Sequence, residues 1–140
     1  MNPEWLRPEW CIAHPKYWVP CADPSVFWSH PQPVGFAPDG TLSPLTRHEF
    51  RKNGYFHRLD GPALIAPNEY YQFHMHGRLH RLDGPARNIS DAVLEFWVNG
   101  NRHRGDGPAY LAVGSPPEWW VNGIRLPDNP TDLDILGALL

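Results

Sequence analysis

Four residues near the N-terminus carry side chains that bind zinc in other proteins: Cys11, His14, Cys21 and His30. Cys-x2-His is a usable half-site, and Cys21 with His30 would complete a tetrahedral Cys2His2 set. The spacing matches no established zinc-ligand pattern, and His30 also falls in a column of turn residues one repeat before Asn53. A structural zinc in this segment is therefore the alternative to two free thiols, and we expect no cofactor.

A second set of reactive residue types recurs with a 23-residue period. Three His-Arg pairs are each followed, one residue later, by Asp-Gly-Pro-Ala, at residues 57–63, 80–86 and 103–109. If each repeat adds two strands to a sheet, equivalent residues lie about 9.5 Å apart, which is twice the strand spacing. The three histidines are then too far apart to share one zinc ion, whose bonds to nitrogen are about 2.1 Å long. A turn-stabilising hydrogen bond in each copy is the main prediction for His57, His80 and His103, and a pH-sensitive surface is the alternative.

The arginine and aspartate of each copy lie two residues apart and so share a face of an extended chain. We expect each aspartate to offset the arginine of its own copy, giving a solvated and self-compensated edge. The alternative is a groove that binds an anionic partner, because guanidinium groups suit carboxylates and phosphates. The pairs are Arg58 with Asp60, Arg81 with Asp83, and Arg104 with Asp106.

Aromatic residues keep the same 23-residue phase. Their column contains Phe50, Phe73, Phe96 and Trp119, which predicts the buried stripe of a sheet. Trp97 and Trp120 follow this column by one residue and therefore point to the opposite face. One face must then be covered by another part of the chain or by a partner protein, and Trp and Arg dominate the energetics of protein interfaces.

The elements that position these residues are predicted to be short β-hairpins. Aromatic and β-branched residues run into Asn-Gly, the strongest short hairpin signal, at Asn53-Gly54, Asn99-Gly100 and Asn122-Gly123. We expect a single all-β domain over residues 1–140, with the repeats forming one elongated sheet over residues 45–126. Residues 1–44, rich in Pro and Trp, form an N-terminal cap, and residues 127–140 form a C-terminal cap helix. Thr131 is the predicted N-cap of that helix, and its leucines pack on the last hairpin or on a partner chain.

Composition excludes several classes of protein. The 17 prolines among 140 residues argue against a helical bundle. A net charge of −3 argues against binding to a nucleic-acid backbone. We also expect no membrane segment, because no apolar run approaches the roughly 18 residues that a spanning helix needs, and no secretory signal at the N-terminus. Two cysteines favour a reducing cytoplasm over a disulfide framework.

The repeat resembles the MORN repeat, which also has a 23-residue period and a Trp-x-Asn-Gly-Lys-x-His-Gly type of consensus. The matching residues are Trp97-Val98-Asn99-Gly100-Asn101-Arg102-His103. The His-Arg-x-Asp-Gly-Pro-Ala motif is similar to a variant seen in proteins of phages and large DNA viruses and in YwqK-like bacterial proteins. The resemblance covers most of the chain and implies a stack of hairpins with a binding or scaffolding role and no catalytic residues.

The sequence therefore predicts a non-enzymatic protein-binding module that acts in the cytoplasm as a monomer or homodimer. The resemblance further implies that it is encoded by a phage or mobile element and acts in the host cytoplasm. Its partner is a host or cognate protein, such as a defence protein that it inhibits. A binder of nucleotide-like anions and a zinc-dependent enzyme are the alternatives. The predicted partner-binding residues are Trp97, Trp120, Arg58, Arg81, Arg104, His57, His80 and His103.

Overall fold

The computed structural model describes residue 7, residues 9–30 and residues 35–140. Most of its regular elements are short antiparallel strands, so the predicted all-β class is confirmed. The chain divides into two compact units, residues 1–77 and residues 78–140. Their boundary falls at the hairpin turn of the second repeat.

The first unit contains one antiparallel sheet. Strand β2 pairs with β1, β3 and β4, and β4 pairs with β5. The elements of this unit are α1 (Glu9–Ile12), β1 (Phe27–Ser29), β2 (His48–Lys52), β3 (Tyr55–Phe56), β4 (Leu64–Ala66), β5 (Tyr70–Gln72) and β6 (His74–Met75).

In the second unit, β9 pairs with β8 and with β12, and the hairpins β10-β11 and β13-β14 form separate two-stranded sheets. The single sheet expected from the sequence is thus resolved into a larger sheet and smaller hairpins. The elements are β7 (Arg78–Leu79), β8 (Arg87–Ile89), β9 (Val93–Glu95), β10 (Trp97–Val98), β11 (Asn101–Arg102), β12 (Tyr110–Ala112), β13 (Trp120–Val121), β14 (Ile124–Arg125) and α2 (Asp132–Leu139).

Each hairpin turns at two residues in the left-handed region of the backbone, as the Asn-Gly signal predicts. Asn99 has φ of 50° and Gly100 has φ of 80°, and the strands on either side pair Val98 with Asn101. Asn tolerates a positive φ better than other residues with a side chain, and Gly has no Cβ to clash. The same φ values, within 1°, occur at residues 53–54, 76–77 and 122–123.

The repeated motif connects each Asn-Gly-type hairpin to the strand that follows it in the chain. In the third copy, the amide of Phe96 donates to Ala109, and the amide of His103 donates to Phe96 at 3.0 Å. The alanine that ends the motif is fully buried in all three copies, at positions 63, 86 and 109. A side chain larger than a methyl group would have no space there, which explains why the motif ends in Ala.

The core of the first unit lies between its sheet and the N-terminal segment. Trp18 is fully buried and belongs to one apolar cluster with Phe50 and Ile65. The remaining members of the cluster are Cys11, Leu42 and Tyr71. The N-terminal segment therefore covers the aromatic column at its first position.

Helix α2 begins at the predicted N-cap. The Thr131 hydroxyl accepts from the amide of Asp134, and the Asp134 carboxylate accepts from the amide of Thr131, which forms a capping box. No residue of the helix is buried. Its leucines, which we expected to pack on the last hairpin or on a partner chain, are exposed in the single chain, at positions 133, 136, 139 and 140.

Candidate functional site

The histidine of each motif stabilises the next hairpin turn. Its Nδ1 accepts a hydrogen bond from the backbone amide of the first turn residue, 19 positions later, at 3.0–3.1 Å. Accepting at Nδ1 leaves the proton of the neutral ring on Nε2. The predicted turn role is confirmed for all three copies, whose acceptor and donor residues are His57 and His76, His80 and Asn99, and His103 and Asn122.

The arginine of each motif closes its own loop. Arg104 donates from Nε to Asp106 at 3.0 Å and from Nη1 to the carbonyl of Pro108 at 3.1 Å. A Cβ on the intervening Gly107 would lie 2.8 Å from the guanidinium carbon, so this position favours glycine. The Nε–aspartate distances in the other two copies are 2.8 and 2.9 Å. The predicted pairing of each arginine with the aspartate of its own copy is confirmed.

Two of the predicted partner-binding residues are buried. The side chain of Arg58 has no exposed surface, and His57 is only 3% exposed. The guanidinium of Arg58 donates to the carbonyls of Tyr17 and Val19 in the N-terminal segment, at 3.1 and 2.9 Å. The expectation that Arg58 and His57 face a partner is therefore wrong for this structure, because the chain covers its own first motif.

The corresponding residues of the second unit line an open groove of about 710 Å³. We call it the arginine groove and define it by Arg81, Asp83, Phe96, Arg104 and Asp106. The side chains of Asp83 and Asp106 are 86% and 88% exposed. His103 also lines this groove, whereas His80 does not and is half-buried.

The predicted tryptophans line a different, shallower pocket of about 260 Å³. We call it the tryptophan pocket and define it by Trp97, Arg102 and Trp120. The guanidinium carbon of Arg102 lies 5.3 Å from the ring centroid of Trp97 and 5.4 Å from that of Trp120. Because Phe96 lines the arginine groove and Trp97 lines this pocket, neighbouring residues point to different surfaces, as the strand alternation predicts.

Two glutamates hold the tryptophan pocket in place. Glu95 is buried and accepts from Arg102 at 3.2 Å and from the Trp97 indole at 3.3 Å. Glu118 lies 3.8 Å from Arg102 and accepts from the Trp120 indole at 3.0 Å. Sequence reasoning missed Arg102, Glu95 and Glu118, although the two glutamates are one 23-residue repeat apart and keep the phase of the tryptophans that follow them.

The candidate zinc ligands have separate environments. Cys11 is buried in the core of the first unit, and burial raises the pKa of its thiol to about 12. His14 stacks on Tyr17 with 4.7 Å between ring centroids. The thiol of Cys21 hydrogen-bonds with Asp60, and His30 packs on Trp28 at 4.6 Å. Within residues 7, 9–30 and 35–140, no three His, Cys, Asp or Glu side chains are grouped to hold a metal ion, so the predicted Cys2His2 set is not assembled.

A buried histidine lies in the sheet of the first unit. His48 has no exposed surface; its Nδ1 accepts from the Trp28 indole at 3.0 Å, and its Nε2 donates to the carbonyl of Ser43 at 2.8 Å. Burial is the main cause of the lowered pKa of His48, which is about 4, and the nearby His30 and Arg58 lower it further. His48 is therefore neutral near pH 7 and serves as a core residue.

Comparison with protein-family models, with curated proteins and with solved structures found no significant match. The resemblance to the MORN repeat thus rests on the sequence motif alone. Among the described residues, no helix is long and apolar enough to cross a membrane.

Proposed function

We propose that this chain is a non-enzymatic protein-binding module whose partner contacts the second unit at the tryptophan pocket. The observation that carries the proposal is the pair of half-buried tryptophans flanking Arg102. Tryptophan and arginine are among the residue types most enriched at interface hot spots, the few positions whose loss weakens binding most.

The pocket is also preorganised, which favours binding. Both indole N–H groups are held by glutamates, and Arg102 is fixed by two carboxylates and by the faces of the aromatic rings. Side chains that are already ordered lose little conformational entropy when a partner binds. A protein surface that meets this pocket would therefore gain contact area without first having to order it.

Electrostatics favour a protein partner over the alternative, a nucleotide-like anion. Arg102 lies within 4 Å of both Glu95 and Glu118, so its positive charge is compensated locally. In the arginine groove, Arg81 and Arg104 are each paired with an aspartate. At either site, the paired carboxylates therefore weaken the attraction of the guanidinium groups for a phosphate.

The other alternative, a zinc-dependent enzyme, has less support because the candidate ligands are not grouped around one point among the residues that the structure describes. From the resemblance to the phage and viral repeat variant, we further propose that the chain is encoded by a phage or mobile element. Its partner would then be a host cytoplasmic protein, such as a defence protein, that the chain inhibits by occupying it.

The test is quantitative binding of a purified partner, first identified by capture from lysate of the host. We expect Trp97→Ala and Trp120→Ala each to weaken binding by at least about tenfold, the effect of a loss of about 1.4 kcal/mol. Phe27→Ala is the matched control, because Phe27 is an aromatic residue of the first unit that is 80% exposed. Unchanged affinity in both tryptophan variants, with melting temperatures like that of the wild type, would refute the proposal.

Thermal melting in the presence of nucleotides tests the anion alternative. A ligand at 100 times its Kd stabilises a folded protein by about 2.7 kcal/mol. We expect no increase in melting temperature with ATP or GTP. An increase that is lost in Arg104→Ala or Arg102→Ala would replace our proposal with the anion-binding function.

A further inference from the structure

The first copy of the motif shows what its arginine and aspartate can hold. Arg58 donates to the carbonyls of Tyr17 and Val19, and the second oxygen of Asp60 accepts from the amide of Ala22 at 3.0 Å. The motif thus binds the backbone of residues 17–22 at both ends of the segment. Trp18, between the two bound carbonyls, packs in one cluster with Phe50.

The third copy is built in the same way. Nε of Arg104 lies 3.0 Å from Asp106, compared with 2.8 Å between Arg58 and Asp60. The guanidinium of Arg104 lies 4.1 Å from the ring centroid of Phe96, and that of Arg58 lies 4.3 Å from Phe50. The hydrogen-bonding groups and the aromatic ring beneath them are therefore reproduced in the second unit.

The difference lies in what covers the two motifs. The Arg104 side chain is 27% exposed where Arg58 is fully buried, and the Asp106 side chain is 88% exposed where that of Asp60 is 39% exposed. Phe96 is half-buried and lines the arginine groove, whereas Phe50 is fully buried. The groove of the second unit thus presents the surface that residues 17–22 occupy in the first.

The chemistry of the groove specifies its occupant. Guanidinium N–H groups suit main-chain carbonyls, an adjacent carboxylate suits a main-chain amide, and an aromatic ring suits a large apolar side chain. The paired aspartates disfavour a phosphate or an acidic side chain. A second copy of this chain is disfavoured as well, because its residues 17–22 are already held by its own Arg58.

The geometry points to a peptide-binding site in the arginine groove, whose ligand is an irregular segment of a partner protein resembling Tyr17-Trp18-Val19-Pro20-Cys21-Ala22. Two carbonyls of the ligand, two residues apart, lie at Arg104, a Trp between them packs on Phe96, and an amide three residues later donates to Asp106. This inference rests on the proposed protein-binding function and assigns the partner's chemistry at a second surface of the same unit.

The test uses the full chain and a peptide of its own residues 15–24, capped at both ends and carrying serine in place of Cys21. We expect isothermal titration calorimetry to show saturable binding that Arg104→Ala weakens by at least about tenfold, the effect of losing a charged hydrogen-bond donor. Arg125→Ala is the matched control, since Arg125 is an exposed arginine of the same unit outside the groove, and it should leave the affinity unchanged.

Two further variants separate binding from folding. Asp106→Asn keeps the size of the side chain but removes its charge, and it should weaken binding while the melting temperature stays close to that of the wild type. A peptide with alanine at the Trp18 position should bind more weakly than the parent peptide. Equal affinity of the parent peptide for the wild type and for a folded Arg104→Ala variant would overturn the inference, because the peptide would then bind elsewhere, such as at the first motif. Absence of saturable binding would overturn it too.

The outcomes also distinguish this inference from the proposed function. If the peptide fails to bind while a purified partner still depends on Trp97, the peptide site is wrong and the protein-binding function stands. If the peptide binds through Arg104 while no partner depends on Trp97 or Trp120, the tryptophan pocket is wrong and the peptide site stands.

Discussion

The first and third copies of the repeated motif have the same internal hydrogen bonds and different surroundings. In both, a histidine stabilises the following turn, and an arginine pairs with the aspartate two residues later. In the first copy the arginine is sealed beneath residues 17–22, and in the third it borders an open groove. The motif therefore stabilises its own loop and the following turn in both copies. Whether it can also bind a partner depends on whether another part of the chain packs over it.

Burial changes the energetic role of the same ion pair. A fully buried arginine has lost its hydration, and its hydrogen bonds to carbonyls and a carboxylate compensate for that loss. A partly exposed arginine keeps water as an alternative partner, so its ion pair adds little net stability. Copies with the same motif thus differ in role, and the arginine of the first copy is committed to folding.

The largest expected difference between the two copies is the loss of stability when the arginine is replaced by alanine. Arg58→Ala removes the buried, charged donor to the carbonyls of Tyr17 and Val19 and to one oxygen of Asp60, so we expect the free energy of unfolding to fall by about 3–5 kcal/mol. Arg104→Ala should cost no more than about 1 kcal/mol. Urea denaturation of the two variants measures both, and equal losses would contradict the difference in burial.

The sequence predicts the hydrogen bonds within each motif but not the segment that packs over the first motif. The 23-residue period, the Asn-Gly turns and the Arg-x-Asp spacing are local patterns, and each produced the expected geometry. That Arg58 would be buried depends on where residues 17–22 return to the sheet. No repeat or period marks this segment, so the long-range contact had no signal in a single sequence. Arg102 and its glutamates did have one, because they keep the repeat phase on the same face as Trp97 and Trp120.

Lowering the pH should destabilise the first unit, because the buried His48 lies in it. Its folded pKa of about 4 is below the value near 6.5 of an unfolded histidine, so its contribution to stability is complete above pH 6.5 and is lost as pH falls towards 4. Between pH 7.5 and 4.5 we expect a loss of about 2 kcal/mol from this group. Burial lowers the pKa of His57 and His74 as well, which adds to the effect in the same direction.

His48→Gln isolates that contribution, because glutamine keeps a polar side chain that does not titrate in this range. The difference in unfolding free energy between wild type and variant should shrink as the pH is lowered from 7.5 to 4.5. Since the carboxylates titrate in both proteins, their effects cancel in this difference. A constant difference over that window would show that His48 is protonated equally in the folded and unfolded chains.

The smallest expected loss of stability is at the glycine of the motif. Substituting it with alanine tests whether the cost depends on the distance to the arginine or on how freely that arginine can move. A Cβ on Gly107 would lie 2.8 Å from the Arg104 guanidinium carbon, and one on Gly61 would lie 3.1 Å from that of Arg58. The shorter distance is nevertheless the cheaper one to relieve, because the partly exposed Arg104 can shift towards water while Arg58 is pinned by carbonyls on the N-terminal segment. We expect Gly61→Ala to lower the free energy of unfolding by about 1–2 kcal/mol and Gly107→Ala by less than about 1 kcal/mol.

Gly105→Ala, with no atom within 4 Å of its Cβ, is the control within the same loop and should change stability by no more than about 0.5 kcal/mol. If Gly107→Ala proves the more damaging in urea denaturation, the groove of the second unit is as rigid as the sealed motif of the first, and the distance alone sets the cost.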